Sequence, residues 1–159
     1  MTMETVTADH PGRTPENSRV LLAHIMTGND TNLYGTVHGG VVMKLVDDAA
    51  GAAAARHAGG PAVTISVDKM TFHDPVLVGD LLNVDAVVAN VGRTSMDLYV
   101  QVTAERWDEP GNRRPLVDAF LTFVAVDSSN RPRPVPSLVL ETDEQRELQE
   151  RAKARRRTV

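Results

Sequence analysis

The spacing of apolar residues changes along the chain, and its most regular stretch predicts a long helix. Between about His38 and His57, apolar residues recur at three- and four-residue steps, which is typical of a helix with one apolar face. That face carries Val42, Leu45, Ala49 and Ala53. Gly51 and the alanines at 52–55 make its second half slim, so the helix can lie close against a sheet. The pair Gly59 and Gly60 predicts its end.

Elsewhere the apolar residues mostly alternate with polar ones, which predicts β-strands. One strand precedes the helix in "RVLLAHIMT", and others follow it in "PAVTISVDKMTF", "DLLNVDAVVANVG", "TSMDLYVQVTAERW" and "PLVDAFLTFVAVD". In "PAVTISVDKMTF" the apolar phase changes between Val67 and Met70, which predicts a β-bulge. We expect the strands after the helix to meander into an antiparallel sheet that curves around it, an α+β fold. Because one helix leaves much of the sheet uncovered, we also expect pairing into a dimer.

Polar segments at both ends bound a single predicted domain. Residues 1–16 include Pro11, Gly12 and Pro15 and predict a flexible lead. Residues 17–136 carry the predicted domain, and residues 137–159 predict a polar helix from about Glu141. The end of that helix, "ERAKARRRTV", is basic. A frayed, solvated helix terminus is the favoured interpretation, and a groove for a polyanionic ligand is the alternative.

Composition narrows the possible functions. The chain of 159 residues contains no Cys, which excludes a disulfide framework, a thiolate metal site and a cysteine nucleophile. The net charge of -4 argues against nucleic-acid binding. No signal-like or membrane-spanning apolar run is present, so we expect a soluble, cytoplasmic protein. The histidines at positions 10, 24, 38, 57 and 73 form no metal-binding motif, so no metal site is predicted.

The segment "DTNLYGTVHGGVVMKLVDDAAG", residues 30–51, concentrates the polar residues suited to chemistry. A helix that begins near His38, Gly39 and Gly40 directs unpaired N–H groups at the preceding loop, where they suit a polarised carbonyl or an oxyanion. Close packing of helix on sheet is the alternative reason for the two glycines. Asn32 is either the centre of an Asx turn or a holder of a water or a carbonyl.

Two adjacent acids, Asp47 and Asp48, lie two turns into the same helix. Either acid can be a solvated residue screened by Lys44. The small residues nearby, Gly51 and the alanines, instead indicate a buried neighbourhood, in which an Asp needs a partner or a function. Spacing alone does not choose between these alternatives.

The segment "NLYGTVHGGVVMKLVDDAAG" resembles the N-x-x-G-x-x-H-G-G-x(6)-D signature of hotdog-fold acyl-CoA thioesterases. The segments "VDKMTFHDPVLVGDLLNVDAVVANVGRTSMDLYVQV" and "LVDAFLTFVAVD" are similar to the acyl-CoA hydrolase branch, which includes brain acyl-CoA hydrolase and its bacterial single-domain relatives. The resemblance covers about residues 19–136 and implies the hotdog fold. It also implies hydrolysis of fatty acyl-CoA to free acid and coenzyme A, without a cofactor, in a homodimer or in a hexamer built as a trimer of dimers.

Carried over by position, the resemblance implies which residues form the site. Asp47 is the catalytic carboxylate, as general base or as nucleophile, and Asn32 of the facing subunit is its polar partner, while Asp48 is structural. The oxyanion and the substrate are expected at His38, Gly39 and Gly40. Coenzyme A is expected to contact Lys69, Gly92, Arg93, Thr94 and Ser95, with Arg131 and Arg133 as further candidates for its phosphates.

Two other functions are compatible with the same fold. A non-catalytic acyl-CoA-binding module is the main alternative, although such a module is expected to lack a carboxylate at the position of Asp47. A hydratase or dehydratase requires a close Asp–His pair, which the helix spacing does not provide. The sequence leaves the preferred acyl-chain length open.

Overall fold

The structure is a computed structural model, and it describes residues 11–157. A five-stranded antiparallel sheet carries a long helix on one face, which confirms the predicted α+β class. In chain order the elements are α1 (Pro15–Ser18), β1 (Val20–Ile25), a 3-10 turn (Gly28–Asp30), α2 (Gly39–Ala58), β2 (Ala62–Val67), β3 (Asp80–Val91), β4 (Ser95–Arg106), β5 (Arg114–Ala125) and α3 (Asp143–Arg156).

The strands lie in the order β1-β3-β4-β5-β2. The predicted meander is therefore correct for β3, β4 and β5 but wrong for β2, which pairs with β5. The physical reason is the connection after β2: residues 68–79 are long enough to cross the sheet, whereas the later strands are joined by tighter hairpins. As a result β2 is an edge strand.

β2 carries its irregularity earlier than the sequence predicts. The strand ends at Val67, so the predicted bulge beyond that residue is absent. Instead, Thr64 pairs with Phe123 and Ser66 pairs with Thr122, which leaves Ile65 as an extra residue. Side chains alternate faces along a strand, and one extra residue reverses that alternation. Thr64 and Ser66 consequently face opposite sides of the sheet.

The helix α2 fills the concave face of the sheet through its small residues. Its buried face consists of Val42, Val46, Ala49, Ala50, Ala53, Ala54, His57 and Ala58. A Cβ at Gly51 would lie 3.5 Å from Phe123 of β5, so the predicted close approach of a slim helix is confirmed. Leu45, predicted for the buried face, is only partly buried. Gly59 ends the helix in the left-handed conformation, with φ of 70°, as glycine there allows.

The helix α3 packs on the opposite face of the sheet. Thr142 and Gln145 form a capping box at its start, close to the predicted start at Glu141. Ala152 is fully buried beside Ala89 and Tyr99. The basic end is only partly solvated: Arg151 and Lys153 are about half exposed, as predicted, but the Arg155 side chain is 15% exposed and is ion-paired with acids of the sheet face. The helix is docked because one of these acids, Asp97, is fully buried and needs a cationic partner.

The N-terminal lead predicted for residues 1–16 lies mostly outside the described residues. Within them, Thr14 caps α1, and Pro15 and Glu16 already belong to that helix. Arg13 donates to the carbonyl of His57 at 3.1 Å, near the end of α2. None of the helices within residues 11–157 is long and apolar enough to span a bilayer.

Candidate active site

The two adjacent acids of α2 have different partners. Thr64 Oγ1 of β2 donates to Asp47 Oδ1 at 2.9 Å. Lys44 Nζ donates to Asp48 Oδ2 at 2.6 Å, one helical turn away, and both side chains of that ion pair are largely exposed. Successive helical residues point about 100° apart, so Asp47 turns toward the edge of the sheet and Asp48 toward solvent. The Lys44 pair neutralises Asp48, and Asp47 keeps a carboxylate with no cation bonded to it among the described residues.

Thr64 is the site residue that the sequence did not reveal. It reaches Asp47 because it pairs with Phe123, whose ring faces α2, on the α2 side of the bulge. A threonine in the strand "AVTISV" is an ordinary β-former. Nothing in the sequence pattern distinguishes its hydroxyl from that of Ser66, because the difference arises from the bulge between them.

The loop before α2 is held by Asn32. Its side-chain carbonyl accepts from the N–H groups of Tyr34 at 2.8 Å and Thr36 at 3.3 Å, and its amide donates to Thr36 Oγ1 at 2.8 Å. This is the Asx-turn alternative for Asn32 within one chain. An open cavity of about 470 Å³ adjoins the loop and is lined by Thr31, Asn32, Leu33, Tyr34 and His38.

The start of α2 is capped by its own histidine. His38 Nδ1 accepts from the N–H of Gly40 at 3.0 Å, so that N–H is free for a ligand only when the imidazole turns away. The N–H of His38 itself donates to the carbonyl of Asp30 at 2.7 Å. Of the predicted oxyanion residues, Gly40 thus has a capped N–H, and Gly39 lies beside it at the first position of α2.

Helix geometry separates these N–H groups from Asp47 of the same chain. Gly39 and Asp47 are eight positions apart, and a rise of 1.5 Å per residue places them about 12 Å apart along the axis. A carbonyl that accepts from the helix start lies within about 3 Å of the donor. One chain therefore does not present both groups to the same carbonyl.

The predicted coenzyme A residues fall in two places. Gly92, Arg93, Thr94 and Ser95 form the β3–β4 turn, closed by the N–H of Gly92 donating to the carbonyl of Ser95 at 2.8 Å. Lys69 is exposed on the segment that follows β2. The two places lie near opposite ends of β2. The turn is near its start, because Ser95 pairs with Val124, which in turn pairs with Val63 of β2, whereas Lys69 follows its end.

The two arginines considered for the phosphates also differ. Arg131 is exposed. Arg133 is not available, because it donates to the carbonyl of Ala58 at 3.0 Å and to that of Val126 at 3.0 Å. The carbonyl of Ala58 is the last of α2, and arginine commonly binds carbonyls at a helix end.

The other buried ionisable groups are structural. Burial lowers the pKa of His57, only partly offset by the hydrogen bond that its Nε2 donates to the carbonyl of Pro136 at 2.9 Å. Burial would raise the pKa of Asp80, but hydrogen bonds from Leu77 N–H, Arg114 and Arg106 outweigh it and keep that pKa below its usual range. Within residues 11–157, no three His, Asp or Glu side chains converge in a way that would hold a metal ion.

Sequence comparison identifies the family. The thioesterase superfamily matches residues 34–109. The acyl-CoA thioester hydrolase YciA of Salmonella typhimurium is 36% identical over 125 residues, which cover 77% of this chain and 93% of the relative. The chain belongs to the thioesterase superfamily. Another relative within it is the cytosolic acyl coenzyme A thioester hydrolase of Mus musculus, 37% identical over 139 residues and 87% of this chain. The chain spans about a third of that mouse protein, 36% of its length.

Solved structures of superfamily members confirm the hotdog fold. An apo-hexameric acyl-CoA thioesterase superposes with a TM-score of 0.88 at 37% identity, over 94% of this chain and 95% of that one. An acyl-CoA hydrolase of Staphylococcus aureus, solved with butyryl coenzyme A and coenzyme A, gives a TM-score of 0.84 at 29% identity, over 93% and 92% of the two chains.

Three variants of the Staphylococcus aureus enzyme have also been solved. Each replaces one residue by alanine: an asparagine, an aspartate 15 positions later, and a threonine 17 positions after that. Asn32, Asp47 and Thr64 have the same two spacings in this chain. The hydrogen bond between Asp47 and Thr64 shows that two of these three positions meet in this structure.

Proposed function

We propose that this superfamily member hydrolyses fatty acyl-CoA thioesters to a free acid and coenzyme A, with Asp47 as the reactive carboxylate. The observation that carries the proposal is the hydrogen bond from Thr64 to Asp47, beside an Asp48 that Lys44 neutralises. The shared spacing of Asn32, Asp47 and Thr64 with the substituted positions of a coenzyme A-binding relative supports it. The proposal is also supported by two relatives that are described as acyl-CoA thioester hydrolases.

The chemistry follows from the position of the carboxylate. Thr64 holds Oδ1 of Asp47 and thereby orients Oδ2. Oδ2 either removes a proton from a water that attacks the thioester carbon, or attacks that carbon itself to form an anhydride that water then opens. In both routes the carbon–sulfur bond breaks, the acyl group gains the water oxygen, and coenzyme A leaves as a thiol after protonation.

Two chains are needed to complete this site. Because the helix start and Asp47 lie about 12 Å apart, the N–H of Gly39 that stabilises the oxyanion must come from a different subunit than Asp47. The loop that would reach across carries Leu33 and Tyr34, both almost fully exposed. Asn32 of that loop would then orient the water opposite Asp47. His38 releases the N–H of Gly40 if substrate displaces its ring.

The edge strand β2 is the surface that would bring the two chains together. Its apolar residues Val63, Ile65 and Val67 are all exposed in one chain, and an unpaired edge invites strand pairing. The proposed assembly is at least a homodimer, and a hexamer built as a trimer of dimers is the proposed full form. Solved relatives described as hexameric support the number of six chains.

Coenzyme A would lie against the β3–β4 turn and the segment after β2. The turn carries the hydroxyls of Thr94 and Ser95 together with the exposed Arg93, and a Cβ at Gly92 would lie 2.8 Å from Ser95 Oγ. Lys69 supplies a second cation. Cations and donors of this kind suit an anionic nucleotide. We expect no cofactor, and we propose a cytoplasmic location, in line with the mouse relative described as cytosolic.

The test is release of thiol from acyl-CoAs with two to sixteen carbons by the purified chain. Turnover of any of them supports the proposal, and the chain length that turns over fastest identifies the substrate. Binding of acyl-CoA without thiol release would favour the non-catalytic module. Addition of water to an enoyl-CoA without thiol release would favour a hydratase.

A further inference from the structure

Arg155, near the end of α3, contacts β4, β5 and the residue that follows β2. Its Nη1 lies 2.8 Å from Asp68 Oδ1, just beyond β2. Its Nη2 lies 2.8 Å from Asp97 Oδ1 of β4 and 2.5 Å from Thr122 Oγ1 of β5. The side chain is 15% exposed, and Asp97 is fully buried. A guanidinium that bridges two carboxylates at low exposure has a fixed geometry, unlike an isolated surface pair.

These contacts lie on the far side of the β2 bulge from the site. Thr64 precedes the bulge and faces α2, whereas Ser66 and Asp68 follow it and face α3. Thr122, which Arg155 contacts, is the strand partner of Ser66. Arg155 therefore connects Asp68, just beyond β2, to Thr122, the β5 residue that pairs with the end of β2 after the bulge.

Register at this point decides where Thr64 points. A slip of one residue would move every side chain of β2 to the other face of the sheet. In the sheet of one chain β2 is an edge strand, paired only with β5 among the described strands. Loss of the extra residue at Ile65 by such a slip would turn the Thr64 hydroxyl away from Asp47.

We propose that Arg155 is a positioning residue, which fixes the register of β2 beyond its bulge and so keeps Thr64 bonded to Asp47. This inference rests on the proposed function for its kinetic consequences. It gives the basic end of α3 a role in the geometry of the site, through the register of β2.

The kinetic test uses two variants, each of which removes one partner of the ion pair between Arg155 and Asp68. Arg155→Ala and Asp68→Asn should each lower kcat roughly tenfold while KM stays within about twofold, because a small displacement of a catalytic geometry costs rate more than binding. Adding Thr64→Ala to Arg155→Ala should lower kcat no further than Thr64→Ala alone, because both act through one hydrogen bond. Losses that multiply in the double variant would overturn the inference.

Arg151 offers a matched control on the same face of α3, one turn earlier. Its guanidinium lies over the rings of Tyr99, at 4.9 Å, and Phe120, at 5.6 Å. Its ion-pair partner is Asp118 at 3.9 Å, so these contacts are with β4 and β5. Arg151→Ala removes the same charge and similar packing, so it should reduce thermal stability without reducing kcat. An equal loss of kcat in Arg151→Ala would assign the effect of Arg155 to the docking of the helix alone.

Amide hydrogen exchange separates this inference from the proposed function. Exchange across residues 62–68 should be at least about tenfold faster in Arg155→Ala and Asp68→Asn than in the wild type or Arg151→Ala. If the wild type releases no thiol but shows this pattern, the proposed function fails and the anchoring of β2 stands. If β2 exchanges at the wild-type rate in both variants, the inference fails, whatever the activity.

Discussion

Thr64 Oγ1 donates to Asp47 Oδ1 at 2.9 Å, so the edge strand of the sheet meets the central helix at one carboxylate. The strand is bulged at that point, and the helix is narrow there because Gly51 and several alanines pack on the sheet. The carboxylate, its hydroxyl donor and the exposed edge strand are therefore parts of one local arrangement.

The hydroxyl of Thr64 is expected to matter more than its shape. Thr64→Val keeps the β-branched shape but removes the donor, so kcat should fall roughly tenfold to a hundredfold. Thr64→Ser keeps the hydroxyl and should retain most of the activity. Ser66→Ala removes a hydroxyl from the opposite face of the same strand and serves as the control in steady-state assays of thiol release. Wild-type kcat in Thr64→Val would show that orientation of Asp47 by this hydrogen bond is unimportant.

Mixing two inactive variants tests whether each site contains residues of two chains. Asn32→Ala and Asp47→Asn should each be nearly inactive alone. If they are unfolded together and refolded as a mixture, half of the dimers are mixed, and each mixed dimer has one intact site. Activity should then recover to about a quarter of the wild-type value, given random pairing at a two-fold interface. A mixture no more active than its two components would place Asn32 and Asp47 in the same chain's site.

The buried carboxylates predict how stability depends on pH. Burial would raise the pKa of Asp97, but hydrogen bonds from Arg156, Asn90 and Arg155 outweigh it and lower that pKa; the pKa of Asp80 is lowered in the same sense. The unfolded chain therefore protonates Asp80 and Asp97 at a higher pH than the folded chain does. Stability from both groups is present above the unfolded pKa, about 3.9, and is lost as pH falls through the lower folded values.

Asp97→Asn isolates the contribution of that carboxylate. The variant should lower the free energy of unfolding by about 1–3 kcal/mol at neutral pH, because it leaves two arginines without their buried partner. The difference from the wild type should shrink below about pH 4, where the unfolded wild-type chain begins to take up a proton on Asp97. Urea unfolding at several pH values measures it, with the exposed Asp108→Asn as control. A difference that does not change with pH would contradict the assigned ion pairs.

The sequence predicts the parts of this protein that depend on local pattern. The period of α2 and its end at Gly59 follow from spacing, because one face of the helix is buried. The position of β2 does not follow, since an edge strand and an inner strand have similar patterns. Only the pairing of residues 62–67 with β5 places it beside α2.

In the candidate site, too, some residues are predictable from local sequence and others depend on the tertiary fold. Asp47 and Asn32 lie in one recognisable segment, whereas Thr64 meets Asp47 only through the tertiary fold. The arginines at the end of α3 resemble a solvated helix terminus in sequence, because the acids that bind them lie 58 and 87 residues away. Long-range partners of this kind leave no local signal.

Thiol release by Asp47→Asn and Asp48→Asn, compared with the wild type on its best acyl-CoA, tests the central claim most directly. Both variants remove one charge from neighbouring positions of the same helix and differ only in the partner that is lost, Thr64 or Lys44. The proposal predicts that Asp47→Asn loses at least about a hundredfold in kcat while remaining folded, because it lacks the reactive carboxylate. It predicts that Asp48→Asn stays within about twofold of the wild type. A folded Asp47→Asn variant with wild-type kcat, or a collapse of activity in Asp48→Asn instead, would contradict it.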